Sequence, residues 1–277
     1  MRQVPFSGKR KPKTIHYFQQ QKDNHTPLCL VTCYDYPSAV IVANTDIDAV
    51  LVGDSVAMVV HGYDTTVMAT MPMMVMHTRA VARGLGSQLL IADLPFLSYR
   101  QSLADTVDAC RQLMQAGAHA IKLEGADIDA LTSISHLVKS GIPIMGHIGL
   151  TPQSVHQLGG HRVQGKSEKE AMHLIEQAKA LVEVGCFALV LECVPEDLAY
   201  KIQQTVSIPL IGIGAGPGCD GQILVWHDLL GLQNQNKPKF VKEYVQAGEF
   251  IQSGLEQFCH DVRKSQFPLE EHSYAGG

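Results

Sequence analysis

Eight short apolar runs alternate with stretches of helical spacing along 277 residues, and this alternation at this length predicts an α/β protein, a TIM (β/α)8 barrel in a single domain, 1–277. The runs are Leu28 to Thr32, Ala49 to Gly53, Leu89 to Ala92, Ala120 to Leu123, Ile142 to Gly146, Ala188 to Leu191, Ile208 to Ile213 and Gln222 to Trp226. Each is too short for a helix. Most are apolar at consecutive positions, as strands covered on both faces are. The competing open, doubly wound sheet usually announces itself with Gly-x-Gly-x-x-Gly after its first strand, and nothing of that spacing follows Thr32.

Taken in order, Thr14 to Gln21 reads as a short helix capping the barrel floor. Residues 1–13 read as a flexible arm, because Pro5, Gly8 and Pro12 interrupt Lys9, Arg10, Lys11 and Lys13; a targeting segment is the alternative. Asp35, ahead of Tyr36-Pro37, suits a helix N-cap. The methionine-rich run from Met68 to Met76 suits a helix start packed on the barrel. Asp105 to Ala116 and Glu170 to Val184 carry one apolar face each, and Gly117 and Gly185 follow as terminators. The connection from Gly149 to Gly165 is long enough for a lid. The glycines from Gly212 to Gly218 read as a turn, with a phosphate cradle as the alternative. Lys239 to Phe258 reads as a long amphipathic helix.

Composition narrows the partners. A net charge of −5 provides no basic field for nucleic acid or an anionic membrane, and no apolar window reaches the length of a membrane span. A small-molecule substrate fits better. Seven cysteines, an odd number with no Cys-x-x-Cys pair, argue against a disulfide framework or a structural zinc site and for reduced thiols in the cytoplasm. Cys29 and Cys33 fall on one face of the first run, as core residues do.

In a barrel the catalytic groups stand at the carboxyl ends of the strands. After the runs come Asp35, Asp54, Asp93, Glu124, His147, Glu192, the glycine segment, and His227 with Asp228. Any one of these carboxylates alone is an ordinary turn former or cap. Lys122 is different: it lies inside an apolar run, where burial is costly without an anion, and Glu124 or a bound anion is the natural partner. Asp54, Asp93 and Glu124 would converge from strands two, three and four. Three carboxylates in one place stay ionised together only around a cation, and oxygen ligands without cysteine favour Mg²⁺. An α-keto acid could fill the remaining positions, with Glu192 across the mouth as base. The other histidines, His61, His77, His156, His161, His173 and His227, follow no single ligand spacing.

The segments Thr32-x-Tyr34-Asp35-Tyr36, Leu51-Val52-Gly53-Asp54-Ser55, Ala92-Asp93-Leu94-Pro95-Phe96, Lys122-Leu123-Glu124-Gly125, Gly146 to Gln153, Leu191-Glu192-Cys193-Val194-Pro195, Gly212 to Gly216 and Asp220-Gly221-Gln222 closely resemble the ketopantoate hydroxymethyltransferase family. Ala57, Val67-Met68 and Trp226 depart from the family's usual pattern. The resemblance implies a TIM barrel of the phosphoenolpyruvate/isocitrate lyase group, assembled as a homodecamer. It implies hydroxymethyl transfer from methylenetetrahydrofolate to 3-methyl-2-oxobutanoate, giving 2-dehydropantoate for pantothenate biosynthesis. Asp54, Asp93 and Glu124 would be Mg²⁺ ligands, direct or through water. Asp54, Ser55, Asp93 and Lys122 would hold the keto acid, Glu192 would take the proton from its C3, and His147 would lie beside the substrate. Two other readings stand against this one. The first is a carbon–carbon lyase working through the same metal enolate, with Cys193 as acid, and the second is a keto-acid binding protein without turnover.

Overall fold

The computed structural model describes residues 11–233 and 237–274, and divides the chain into two compact units that meet in sequence at Val225 and Trp226. The single domain expected over 1–277 therefore takes the form of a barrel unit and a C-terminal unit. In the first, eight parallel strands close on themselves in chain order: β1 Leu28–Thr32, β2 Ala49–Val52, β3 Leu89–Asp93, β4 Ala120–Glu124, β5 Ile144–Gly149, β6 Ala188–Glu192, β7 Leu210–Ile213 and β8 Gly221–Leu224. β8 pairs with β1, so no sheet edge is left. The helices are α1 Ile15–Asp23, α2 Tyr36–Ala43, α3 Val56–Val59, α4 Met71–Gly84, α5 Leu103–Gln115, α6 Ile128–Lys139, α7 Val155–Leu158, α8 Glu168–Glu183 and α9 Glu196–Thr205. The C-terminal unit holds α10 Trp226–Leu229 and α11 Ala247–Arg263.

Side-chain chemistry sets the boundaries. Pro143 and Pro209 have no N–H to give a ladder, so β5 and β7 begin one residue after them, later than the apolar runs suggested. Each proline still accepts at the strand foot, Pro143 O from Ile121 N (3.0 Å) and Pro209 O from Leu189 N (2.9 Å). Asp35 caps α2 by accepting from Ser38 N, Ser102 caps α5, and Ser167 with Glu170 forms a capping box on α8. Gly117 and Gly185 follow their helices with φ of 113° and 95°. α11 starts later than Lys239 because the preceding amides bond elsewhere: Val241 N donates to Pro238 O, Tyr244 N to Leu229 O and Ala247 N to Leu230 O. Of the methionine-rich run, Met74 is buried whereas Met68 and Met76 are exposed, so only part of it packs as expected. Cys29 on β1 is exposed and Cys33, one residue beyond the strand, is buried, so the two do not share a core environment. The expected long connection between Gly149 and Gly165 contains a 3-10 turn at Pro152–Ser154 and the single turn of α7.

The interior is packed, not hollow. Leu28, Leu30, Leu51, Leu89, Ile91, Met145, Val190, Ile211 and Ile223 fill it, and Phe18 of α1 enters the same cluster from below. Phe18 meets Phe187 edge to face, with ring centroids 5.7 Å apart. Two acids at strand feet fasten this floor. Asp48 accepts from Lys13 Nζ (2.6 Å), Tyr17 OH (2.8 Å) and Cys29 N (2.8 Å). Asp220 accepts from Lys22 Nζ (2.7 Å), Gln203 Nε2 (2.7 Å) and Leu210 N (2.9 Å). Lys13, expected in the flexible arm, is thus part of the floor; residues 1–10 lie outside the described residues.

Replacing Asp48 by alanine strands the part-buried backbone N–H of Cys29 and takes the counter-charge from Lys13, whose ammonium keeps only the carbonyls of Asp46 and Ile47. It should cost about 1–3 kcal/mol, read as a lower urea midpoint. An unchanged midpoint would show that the floor does not depend on Asp48.

Candidate active site

At the carboxyl ends of β2 to β6, strand register decides which side chains meet. Asp93 lies opposite Lys122, and Glu124 opposite His147. Lys122 and Glu124 are two apart on β4 and share its inward face. Lys122 Nζ is 3.1 Å from Asp93 Oδ1, so its ion-pair partner comes from the adjacent strand and is not Glu124, the intrastrand partner expected from sequence. In-register neighbours across a ladder are closer than i and i+2 along a strand. Gly53 leaves space that a side chain would close: a Cβ there would lie 2.7 Å from Ser55 Oγ. Asp54 follows, and its backbone N–H donates to Asp93 Oδ2 (3.1 Å). Ser55 Oγ is 2.7 Å from the hydroxyl of the buried Tyr34.

His147 joins the halves of the cluster. Its Nδ1 is 3.2 Å from Lys122 Nζ and 3.3 Å from Glu124 Oε1, and its Nε2 is 3.2 Å from Glu192 Oε2, an ion-pair contact without hydrogen-bond alignment. His61 and His77 pair with each other instead, Nε2 to Nε2 at 2.9 Å. Asp54, Asp93, Lys122, Glu124 and His147 are all at most 5% exposed, and Glu192 is half-buried.

Burial at this charge density moves the protonation equilibria. Asp54 is pushed well above the usual carboxylate range by burial and by the charges of Asp93 and Glu124, against Lys122 and Gln153. Asp93 is raised by burial, which outweighs Lys122. For Glu124 burial acts upward too, but the hydrogen bond and charge of His147 and the charge of Lys122 carry it below its ordinary value. Burial works against the Lys122 ammonium, yet Asp93, Glu124 and Asp54 hold it protonated beyond its ordinary range. His147 is raised to about 9: burial and Lys122 oppose its charge, and Glu124 and Glu192 prevail.

Fully ionised, Asp54, Asp93, Glu124 and Glu192 outnumber Lys122 and the His147 imidazolium by two charges, the deficit a divalent cation would fill. Asp93 Oδ1 is buried without a hydrogen bond of good geometry, an oxygen still open to a ligand. Among the described residues no three His, Cys, Asp or Glu side chains are gathered closely enough to enclose an ion by themselves. The carboxylates do not form a closed protein cage; an ion such as Mg²⁺, which takes one or two carboxylates and keeps water, would not need one.

Comparison with known proteins bears directly on this constellation. The family model of ketopantoate hydroxymethyltransferase matches residues 12–270. The chain belongs to that family. It is 57% identical over 260 residues to the 3-methyl-2-oxobutanoate hydroxymethyltransferase of Legionella pneumophila (strain Lens), covering 94% of this chain and 99% of the relative. It is 52% identical over 258 residues to the enzyme of that name from Coxiella burnetii (strain CbuG_Q212), covering 93% and 97%. This ketopantoate hydroxymethyltransferase family member is thus an enzyme, a hydroxymethyltransferase. Its fold is shared with 2,3-dimethylmalate lyase, a member of the PEP mutase/isocitrate lyase superfamily, at a TM-score of 0.57 and 15% identity over 94% of this chain and 91% of that one.

The structure brings together every site residue expected from sequence: Asp54, Ser55 and Asp93 on one side, Lys122, Glu124, His147 and Glu192 on the other. It adds residues that carried no role in the sequence. Gln153 is buried against the carboxylates of Glu124 and Asp54, Tyr99 is buried against Gln153 and the Glu124 carbonyl, and Tyr34 holds Ser55. Their only sequence signal is membership of the family segments, which Tyr34 and Gln153 have and Tyr99 lacks.

The end of β6 is positioned by backbone as much as by side chain. Gly149 has φ 93°, and a Cβ on it would run into the carbonyl oxygen of Glu192, which accepts from Leu150 N (2.8 Å). Cys193, next to Glu192, is itself left-handed at φ 49°. Gly149→Ala should therefore cost about 1–3 kcal/mol in backbone strain. It should also shift Glu192 enough to lower kcat on the order of 100-fold. Wild-type turnover and melting in this variant would contradict the close approach.

Proposed function

We propose that the enzyme transfers a hydroxymethyl group from methylenetetrahydrofolate to 3-methyl-2-oxobutanoate, forming 2-dehydropantoate, with Mg²⁺ as cofactor. The observation that carries this reading is one mouth holding both halves of an enolisation site. Lys122, paired to Asp93, is a buried cation that would stabilise a developing oxyanion, and Glu192, against His147, is a carboxylate that would take a proton. Family membership and the names of the relatives support the choice of substrate.

Asp54, Asp93 and Glu124 would hold the cation, directly or through water. Bound there, Mg²⁺ would supply Lewis-acid stabilisation of the enolate. The remaining work falls to the chain's own groups. Ser55 Oγ, fixed by Tyr34, and the Lys122 ammonium orient the keto acid. Glu192 accepts the C3 proton as the electron pair moves toward the keto oxygen, and Lys122 stabilises the charge that builds there. His147 holds Glu192 toward the substrate through Nε2. The nucleophilic C3 then forms its bond to the methylene carbon of the folate, both C–N bonds of that carbon break, water supplies its hydroxyl, and tetrahydrofolate leaves with the two protons given up by C3 and by water. The lyase alternative would use Cys193 as acid, but burial and the charge of Glu192 push that thiol up to about 12, a poor proton donor at neutral pH. The family resemblance further supports a homodecamer in the cytoplasm. No helix among the described residues is long and apolar enough to cross a membrane.

Deuterium exchange at C3 of 3-methyl-2-oxobutanoate, followed by NMR with Mg²⁺ and no folate, tests the base. Glu192→Gln should slow it by about 10²–10⁴-fold while ligand binding persists, and unchanged exchange would remove Glu192 from the mechanism. A chelator should abolish hydroxymethyl transfer, and Asp54→Ala should abolish metal-dependent binding of the keto acid. Transfer that survives exhaustive chelation would sink the Mg²⁺ assignment.

A further inference from the structure

Gln153 sits on the 3-10 turn that follows β5, a sequence position with no acid, base or ligand chemistry of its own. It is nonetheless 6% exposed, and every polar atom of its side chain is engaged. Its backbone N–H donates to Glu124 Oε2 (3.1 Å), and its side-chain nitrogen donates to Asp54 Oδ2 (2.9 Å) and Leu94 O (2.9 Å). Its Oε1 accepts from Tyr99 OH (2.9 Å), which also faces Glu124 O at 3.2 Å. The amide cannot be turned round. Leu94 O and an ionised Asp54 only accept, so the nitrogen must face them, and Tyr99 fills the oxygen side.

One residue of the loop therefore donates to two of the three carboxylates that crowd the mouth. The loop carries it there through backbone that is ordered on both sides: Ser154 N donates to Thr151 O, and Leu150 N to Glu192 O. From α7 onward the same connection turns outward, with His156, His161, Arg162 and Val163 exposed. The tie between loop and cluster is thus concentrated at Gln153.

We infer that Gln153, locked by Tyr99, is a positioning residue that holds Asp54 and Glu124 for the cation and couples cation binding to the order of the loop after β5. The inference rests on the Mg²⁺ reading above. Groups behind first ligands commonly change metal affinity about 10–100-fold when removed. Gln153 acts in both directions, because a cation that fixes Asp54 and Glu124 also fixes the turn that donates to them.

Mn²⁺ binding by electron paramagnetic resonance and hydrogen exchange of the amides of residues 153–158, with and without Mg²⁺, test this on the full-length enzyme without its substrates. In the wild type Mg²⁺ should slow exchange of these amides at least tenfold. Gln153→Met, close in volume, should weaken Mn²⁺ binding at least tenfold and remove the Mg²⁺-dependent slowing. Tyr99→Phe, which unlocks the amide, should weaken Mn²⁺ binding at least threefold. Should the Met variant fail to fold, Tyr99→Phe and the wild-type exchange decide. Wild-type Mn²⁺ affinity in the variants, or Mg²⁺ binding that leaves loop exchange unchanged, overturns the inference while leaving the cation site standing. A wild type that binds no Mn²⁺ overturns the cation site and the inference with it.

Discussion

Crowded buried charge is the constraint around which this barrel mouth is arranged. Two unit charges 4 Å apart repel by about 4 kcal/mol at an effective dielectric near 20. Asp54, Asp93 and Glu124 oppose one another's ionisation in a site nearly free of solvent. What surrounds them answers it. Lys122 reaches Asp93 across the β3–β4 ladder, His147 stands between Glu124 and Glu192, and neutral donors from Asp54 N and Gln153 take further carboxylate oxygens. With all four acids ionised the balance remains short of positive charge.

The two ends of the tube treat their acids differently. At the floor each aspartate has a lysine, a second side-chain donor and a backbone N–H, so Asp48 and Asp220 are saturated and serve the fold. At the mouth Asp93 keeps an oxygen without a well-formed hydrogen bond. The same residue type is saturated at one end and keeps an oxygen without a well-formed hydrogen bond at the other.

Much of this was legible in the sequence because barrel strands are short, apolar and followed at once by what they present. The strand ends at Asp54, Asp93, Glu124 and Glu192 could be read from where the apolar runs stop. Lys122 was conspicuous because a lysine between Ile121 and Leu123 contradicts its surroundings. Its partner was not legible, since choosing Asp93 over Glu124 requires the β3–β4 register, which no local pattern fixes. Gln153 and Tyr99 escaped for a related reason. A neutral amide and a phenol are ordinary in loops, and their meaning appears only when residues 54 positions apart meet. The start of α11 was misplaced because amphipathic spacing cannot show that the amides before it bond to residues outside the helix.

Phe18 has a consequence for how the chain reaches this state. The pocket it fills is built from all the strands, and Lys22 is tied to Asp220, 198 positions later. The plug leaves the ribosome before any strand, yet it has no seat until β8 is made. Barrel closure and plugging are therefore one late event, and until then α1 must carry an uncovered phenylalanine. Contacts of such long range make for slow folding, so the newly made chain spends its most vulnerable interval with its floor open.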